Sequence, residues 1–290
     1  MAKYFLVFIF FICSGSSFGL AGITGADGVE INLKTPAQRI ISLSPDMTEI
    51  LFAMGAGKNL VGVGSSSDYP AQALNLPVIA GVRTINLPKI LALNPDLIIA
   101  WQDGTSVFDI HKLRDLGIPV LVVESQKLAD ISHWMRVLGV LTGNSKKADL
   151  LANNFDLSLK NFKNFKKISN KNNKTKPKVF VQISDQPLFT AGGLSIQSEI
   201  INLCGGENIF ENKLTPALEV SEISVITKNP DLIIGLAPTS FDLWADWPEI
   251  NAVKNHQEIK INADIFSRPG PRILQAVDQV CGAIKNINKN

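Results

Sequence analysis

The sequence predicts an α/β protein of two related lobes with a long helix between them. Short apolar strands alternate with helical stretches in the first half, and the alternation starts again near residue 177. The segment Asn94-Pro-Asp-Leu-Ile-Ile99 also recurs unchanged as Asn229–Ile234. Each copy follows a helical stretch and enters a strand, and Asn-Pro is a turn that forces extended geometry at that point. The shared context marks a repeated unit.

The first lobe is assigned to residues 37–144. Arg39–Leu43 reads as a short apolar strand, and Ser44-Pro45-Asp46 opens a helix, with Ser a good N-cap and Pro favoured at the first helical position. That helix runs to Met54 and stops at Gly55. Leu60–Val63, Asp96–Ala100 and Val120–Val123 are further strands, and Leu87–Leu93 is a short helix. Strands separated by helices imply parallel βαβ units. Residues 145–176 form a linker: a helical stripe over about 24 residues, which spans roughly 36 Å, then a polar loop. Residues 160–178 hold eight lysines and no acid, read as a solvated helix end and loop. The second lobe, residues 177–290, repeats the pattern with strands at Lys178–Ile183 and Asp231–Gly235. Its helices are Ser195–Leu203, ending at Gly205-Gly206, and Ile273–Ile287 with apolar residues at helical spacing.

The chain has 290 residues, 46% hydrophobic and 19% charged, an ordinary globular balance. Its net charge of +2 gives no reason to propose a nucleic-acid partner. Lys3, the apolar run Tyr4–Cys13 and the small residues Ser14–Gly19 spell a secretory signal over residues 1–19, cleaved between 19 and 22. The run is too short to span a membrane. Export removes Cys13 and leaves Cys204 and Cys281 in an oxidising compartment, where they form one disulfide or remain two buried thiols. A bridge closes a loop of about 78 residues and contributes roughly 4–5 kcal/mol in the chain-entropy model.

Catalytic signatures are missing. His111, His133 and His256 fit no metal-ligand spacing, and neither a nucleophile elbow nor a P-loop occurs. The chain is therefore read as a non-enzyme that needs no cofactor and no metal. Its aromatic residues say more. In open parallel sheets, ligands bind outside the carboxyl ends of the strands. Trp101 follows the strand Asp96–Ala100, Ser65–Pro70 (with Ser66 and Tyr69) follows Leu60–Val63, and Asp264–Arg272 follows the apolar stretch Ile259–Ile261. These three loops are expected to face one cleft between the lobes. Trp244 and Trp247 fall in an irregular stretch.

Several segments resemble the periplasmic binding proteins for iron complexes and cobalamin: Arg39–Glu49, Ser67-Asp-Tyr-Pro70, Asn94–Trp101, Pro269-Gly-Pro-Arg272 and, more specifically, Ser195–Phe210 with Cys204. The resemblance covers about residues 37–288 and implies two Rossmann-like lobes joined by a single long rigid helix, with little closure. It pairs Cys204 with Cys281. It implies cobalamin or a related corrinoid as transported ligand, with haem or a ferric siderophore as the alternative. Carried over by position, the ligand contacts are Ser66, Tyr69, Trp101 and Asp264-Ile265-Phe266-Ser267-Arg268. Trp101 and Tyr69 would lie on the ring faces, Asp264 and Arg268 on polar substituents, and Val82 and Trp247 are further pocket candidates. The resemblance implies a monomer in the Gram-negative periplasm that delivers to an inner-membrane ABC permease with its ATPase. Family members dock through one Glu on each lobe; the internal repeat puts those positions at Pro88 and Ile223, neither acidic, and Glu222 is the substitute expected on the second lobe.

Overall fold

The structure, a computed structural model, describes residues 22–81, 84–169 and 175–287. The expected signal segment, Val82 and the middle of the lysine-rich stretch lie outside these residues. A small antiparallel pair, β1 (Ile23–Thr24) and β2 (Glu30–Ile31), precedes the first lobe. The lobe follows as β3 (Ile40–Ser42), α1 (Pro45–Ala53), β4 (Leu60–Gly64), β5 (Val78–Gly81), β6 (Thr84–Ile85), α2 (Leu87–Ala92), β7 (Leu97–Trp101), α3 (Val107–Asp115), β8 (Val120–Val123) and α4 (Leu128–Leu141). Its sheet has the order β6-β5-β4-β3-β7-β8, parallel except for the β5–β6 pair. The chain winds outward from β3 to one side, then returns to place β7 and β8 on the other. The crevice at that reversal is where an open α/β sheet receives a ligand.

A single helix, α5 (Ser145–Ser169), connects the lobes. The second lobe is β9 (Lys178–Ser184), β10 (Phe189–Ala191), α6 (Ile196–Cys204), β11 (Glu207–Asn208), β12 (Ala217–Glu219), α7 (Glu222–Lys228), β13 (Leu232–Ala237), α8 (Asn251–Lys254), β14 (Glu258–Asn262), α9 (Ala263–Ser267) and α10 (Ile273–Ile287). Its sheet runs β12-β10-β9-β13-β14. The β9, β13 and β14 strands are parallel, and β10 and β12 add an antiparallel edge that the alternating pattern did not announce.

The repeated hexapeptide plays the same part twice. Asn94 and Asn229 both take the left-handed conformation, with φ of 44° and 47°, which Asn tolerates better than most residues. The Asp two residues on then pins the neighbouring strand. Asp96 accepts hydrogen bonds from the backbone N–H groups of Gln38 (2.8 Å) and Arg39 (2.9 Å), ahead of β3. Asp231 accepts one from the N–H of Lys178 (2.8 Å), at the start of β9.

One hydrophobic core runs through both lobes. It joins Met47, Ile50 and Leu51 of α1, Leu138 of α4 and Phe155 of α5 to Ile200 of α6 and Val277 of α10. Cys204 and Cys281 form a disulfide within it, tying α6 to α10. A further tie crosses the lobes: Glu199 of α6 accepts a hydrogen bond from the N–H of Leu128 (2.7 Å) at the start of α4. That satisfies a helix-terminal donor, and burial raises the Glu199 carboxyl above its ordinary range despite the bond.

Candidate ligand-binding cleft

The carboxyl ends of the two sheets face each other across a cavity of about 570 Å³. The first lobe supplies Pro45 and Asp46 from the start of α1, Ser66 after β4, Trp101 and Asp103 at the end of β7, and Glu124-Ser125-Gln126 after β8. The second lobe supplies Ile183 from β9, Leu194–Gln197 at the start of α6, Pro216-Ala217 beside β12, and Asp264, Ser267 and Arg268 around α9. A smaller pocket of about 100 Å³ lies within the first lobe behind Trp101, between Ser65-Ser66 and Thr105-Ser106.

Trp101 closes β7 and stands 43% exposed. Its indole lies against the backbone of Gly104, where an added Cβ would come within 2.1 Å of the ring. Gly104 therefore lets the ring lie along the cleft wall. Asp46 is buried, and desolvation raises its carboxyl above the usual range although the Ser44 hydroxyl donates to it. Ser44 was expected to cap α1 in the usual way; its hydroxyl bonds the Asp46 side chain, and no backbone N–H of the helix.

Two arginines of the second lobe reach across to the first. Arg268 donates to Glu49 (3.0 Å) and Asp68 (2.8 Å) on the first lobe and to Asp264 (3.1 Å) on its own. Arg272 donates to both oxygens of Glu49 through Nε (2.8 Å) and Nη2. The Arg272 guanidinium also lies 3.7 Å above the Tyr69 ring centroid, a cation–π contact. Glu49 is 3% exposed, so two cations from the other lobe hold one buried carboxylate. The loop Ser65–Pro70 is thus anchored by the lobe opposite its own.

The structure places Ser66, Trp101, Asp264, Ser267 and Arg268 at the cleft. Other sequence expectations need correction. Asp264–Arg268 is not a loop: α9 occupies most of it, and a helix cannot turn five consecutive side chains one way. Ile265 and Phe266 face inward and belong to the core, 8% and 0% exposed. Trp247 packs with Phe180 and Trp244 in a separate core of the second lobe, away from the cleft. Tyr69 is 44% exposed but lines the Arg272 contact and not the cavity wall. Arg268 does line the cleft, yet carboxylates engage its guanidinium. Pro88 is exposed in the first turn of α2, and Glu222 and Ile223 are exposed in the first turn of α7, equivalent sites on the two lobes.

Sequence reading missed Glu49 as the centre of the inter-lobe contact, because its partners lie 219 and 223 residues away. It also missed Asp103 and Glu124–Gln126. A signal existed for these: they follow β7 and β8 as Ser66 follows β4, and the rule that selected Trp101 selects them too.

A profile of the periplasmic binding protein family matches residues 40–264. The chain is similar to the vitamin B12-binding protein of Vibrio cholerae, 38% identical over 257 residues, covering 88% of this chain and 91% of that protein. It is 34% identical over 257 residues to the vitamin B12-binding protein of Vibrio parahaemolyticus, covering 88% and 92%. Among solved structures, the periplasmic vitamin B12 binding protein BtuF of Vibrio cholerae superposes with a TM-score of 0.78 at 37% identity, covering 88% of this chain and 99% of that one. The periplasmic heme-binding protein RhuT from Roseiflexus sp. RS-1 superposes with a TM-score of 0.76 at 23% identity, covering 87% and 99%, and shares the fold.

Proposed function

We start from the fact that this chain belongs to the periplasmic binding protein family, and propose that it captures cobalamin between its lobes and delivers it to an inner-membrane ABC importer. In this reading the protein works in the periplasm, carries no catalytic machinery, and meets a permease through the exposed first turns of α2 and α7, with Glu222 among the contacts.

The observation that carries the ligand assignment is the charge of the cleft. Arg268 is its one basic residue among the described residues, and three carboxylates already surround it. Asp46, Asp103, Glu124 and Asp264 are acidic. Haem presents carboxylates, and the cleft's described residues offer no spare cation to meet them. A corrinoid instead offers a broad, partly apolar ring fringed with uncharged amides. The cavity of about 570 Å³ falls within the range of small-molecule sites, and Trp101 presents a large rigid face at low entropy cost.

Isothermal titration of the mature protein with cyanocobalamin tests the proposal. One-to-one binding at micromolar affinity or tighter is the expected result. Trp101→Ala should weaken it by roughly 2 kcal/mol, as for a buried aromatic anchor. Absence of heat at several temperatures, with the protein shown to be folded, would overturn the assignment in favour of haem or a siderophore.

A further inference from the structure

The part of the cleft that follows β7 and β8 is chemically one-sided. The two strands are neighbours, with Trp101 opposite Val123, so Asp103 and Glu124 emerge side by side on one wall. Among the described residues neither is paired with a base. Among the described residues Asp103 has no hydrogen-bond partner, and the Glu124 carboxylate accepts only from Gln126 Nε2 at 2.6 Å. Next to them the Ser125 hydroxyl oxygen is buried without a partner, although the residue lines the cavity. A buried hydroxyl left unsatisfied is unfavourable and calls for an explanation; a polar group on a bound molecule supplies one.

We infer that Asp103, Glu124 and Ser125 form a specificity-determining wall that reads the carboxamide fringe of a corrinoid and rejects the same fringe when an amide is replaced by an acid. The inference rests on the corrinoid reading and deepens it. A primary carboxamide carries two N–H donors and one carbonyl acceptor. The donors suit the Asp103 carboxylate and the remaining lone pairs of the Glu124 carboxylate, and the carbonyl suits the serine O–H. A carboxylate at that place has no donor and adds a like charge beside Asp103 and Glu124, with Arg268 already committed. Discrimination by an unfavourable charge contact is an effective route to specificity. The wall therefore admits the fully amidated ligand and turns away corrinoids with free carboxylates.

The test compares cyanocobalamin with its separated monocarboxylic derivatives, each with one side-chain amide hydrolysed, by calorimetry on the mature protein at neutral pH. At low salt, at least one derivative should bind about tenfold or more weakly than cyanocobalamin, and raising the salt should narrow that gap because repulsion between partly exposed charges is screened. This comparison needs no variant. In the double variant Asp103→Asn, Glu124→Gln the ratio of the two affinities should fall to within about threefold, whatever the absolute affinities become. Ser125→Ala should weaken cyanocobalamin itself several-fold. Tight binding of cyanocobalamin with equal affinity for every derivative would overturn the inference and leave the corrinoid reading standing. So would a gap that persists in the double variant. Failure of cyanocobalamin to bind would overturn both.

Discussion

Glu49 is nearly out of contact with water, and its carboxylate meets two guanidinium groups of the opposite lobe. Such an arrangement costs desolvation on all sides, and it persists because each charge finds a partner with good geometry. Burial works against the Arg268 charge, but bonds to Asp68 and Glu49 outweigh it and the net shift is upward. The bond to Glu49 likewise raises Arg272. Asp68 responds the other way: its bond to Arg268 holds the carboxyl below the ordinary value of 3.8. A depressed carboxyl contributes stability that is present above its unfolded value and is lost as pH falls through the folded one. The stability difference between the wild type and Asp68→Asn, measured by urea unfolding, should therefore stay constant near neutrality and shrink in acid. A difference that grows as pH falls would contradict the pairing. Asp68 was legible only as a neighbour of Tyr69, because the sequence carries no sign of which arginine it meets. Ile265 and Phe266 were assigned to the cleft for a related reason: the resemblance marked a run of residues, and the phase of a five-residue helix decides which of them face the core.

At the scale of elements the repeated hexapeptide was the clearest signal, and its meaning is more specific than a turn before a strand. The left-handed Asn ends a helix, the Pro redirects the chain, and the Asp ties down the first backbone groups of the adjacent strand. Asp96→Ala and Asp231→Ala should each lower the unfolding free energy by about 1–2 kcal/mol, the range for charge-assisted hydrogen bonds. Asp96→Ala should cost more, since both of its bonds go to backbone N–H groups, whereas Asp231 divides its bonds between Lys178 N–H and the Asn251 side chain. Equal stability of both variants and the wild type would show that the motif is retained for some other reason. Strands such as Val120–Val123 and helices such as Ile273–Ile287 were readable because apolar periodicity is local. The antiparallel edge formed by β10 and β12 was not readable. Its strands are three residues each, too short for alternation to show.

For the molecule as a whole, the continuous core and the disulfide matter more than any single contact. Cys204 and Cys281 are 77 positions apart, and closing a loop of that length removes entropy from the unfolded chain worth about 4–5 kcal/mol in the chain-entropy model. The paired substitution Cys204→Ser, Cys281→Ser should lower the free energy of unfolding by nearly that amount, measured by denaturant titration against the oxidised protein. A loss below about 1 kcal/mol would mean that the unfolded chain is held together in other ways. The two-lobe plan and the connecting helix were visible in the sequence. That the lobes also grip each other through Glu49 was not, since a contact between residues at opposite ends of the chain leaves no local trace.

That grip has a mechanical side. Widening the mouth of the cleft pulls Glu49 away from Arg268 and Arg272 and leaves a charge stranded in a nearly dry place. Among the described residues α5 is the one helix that runs from lobe to lobe, so it resists the deformation together with these contacts. Entry and exit share one path, so the cost of separating these charges weighs on both alike. A cleft built this way resists widening until the paired charges between the lobes are pulled apart.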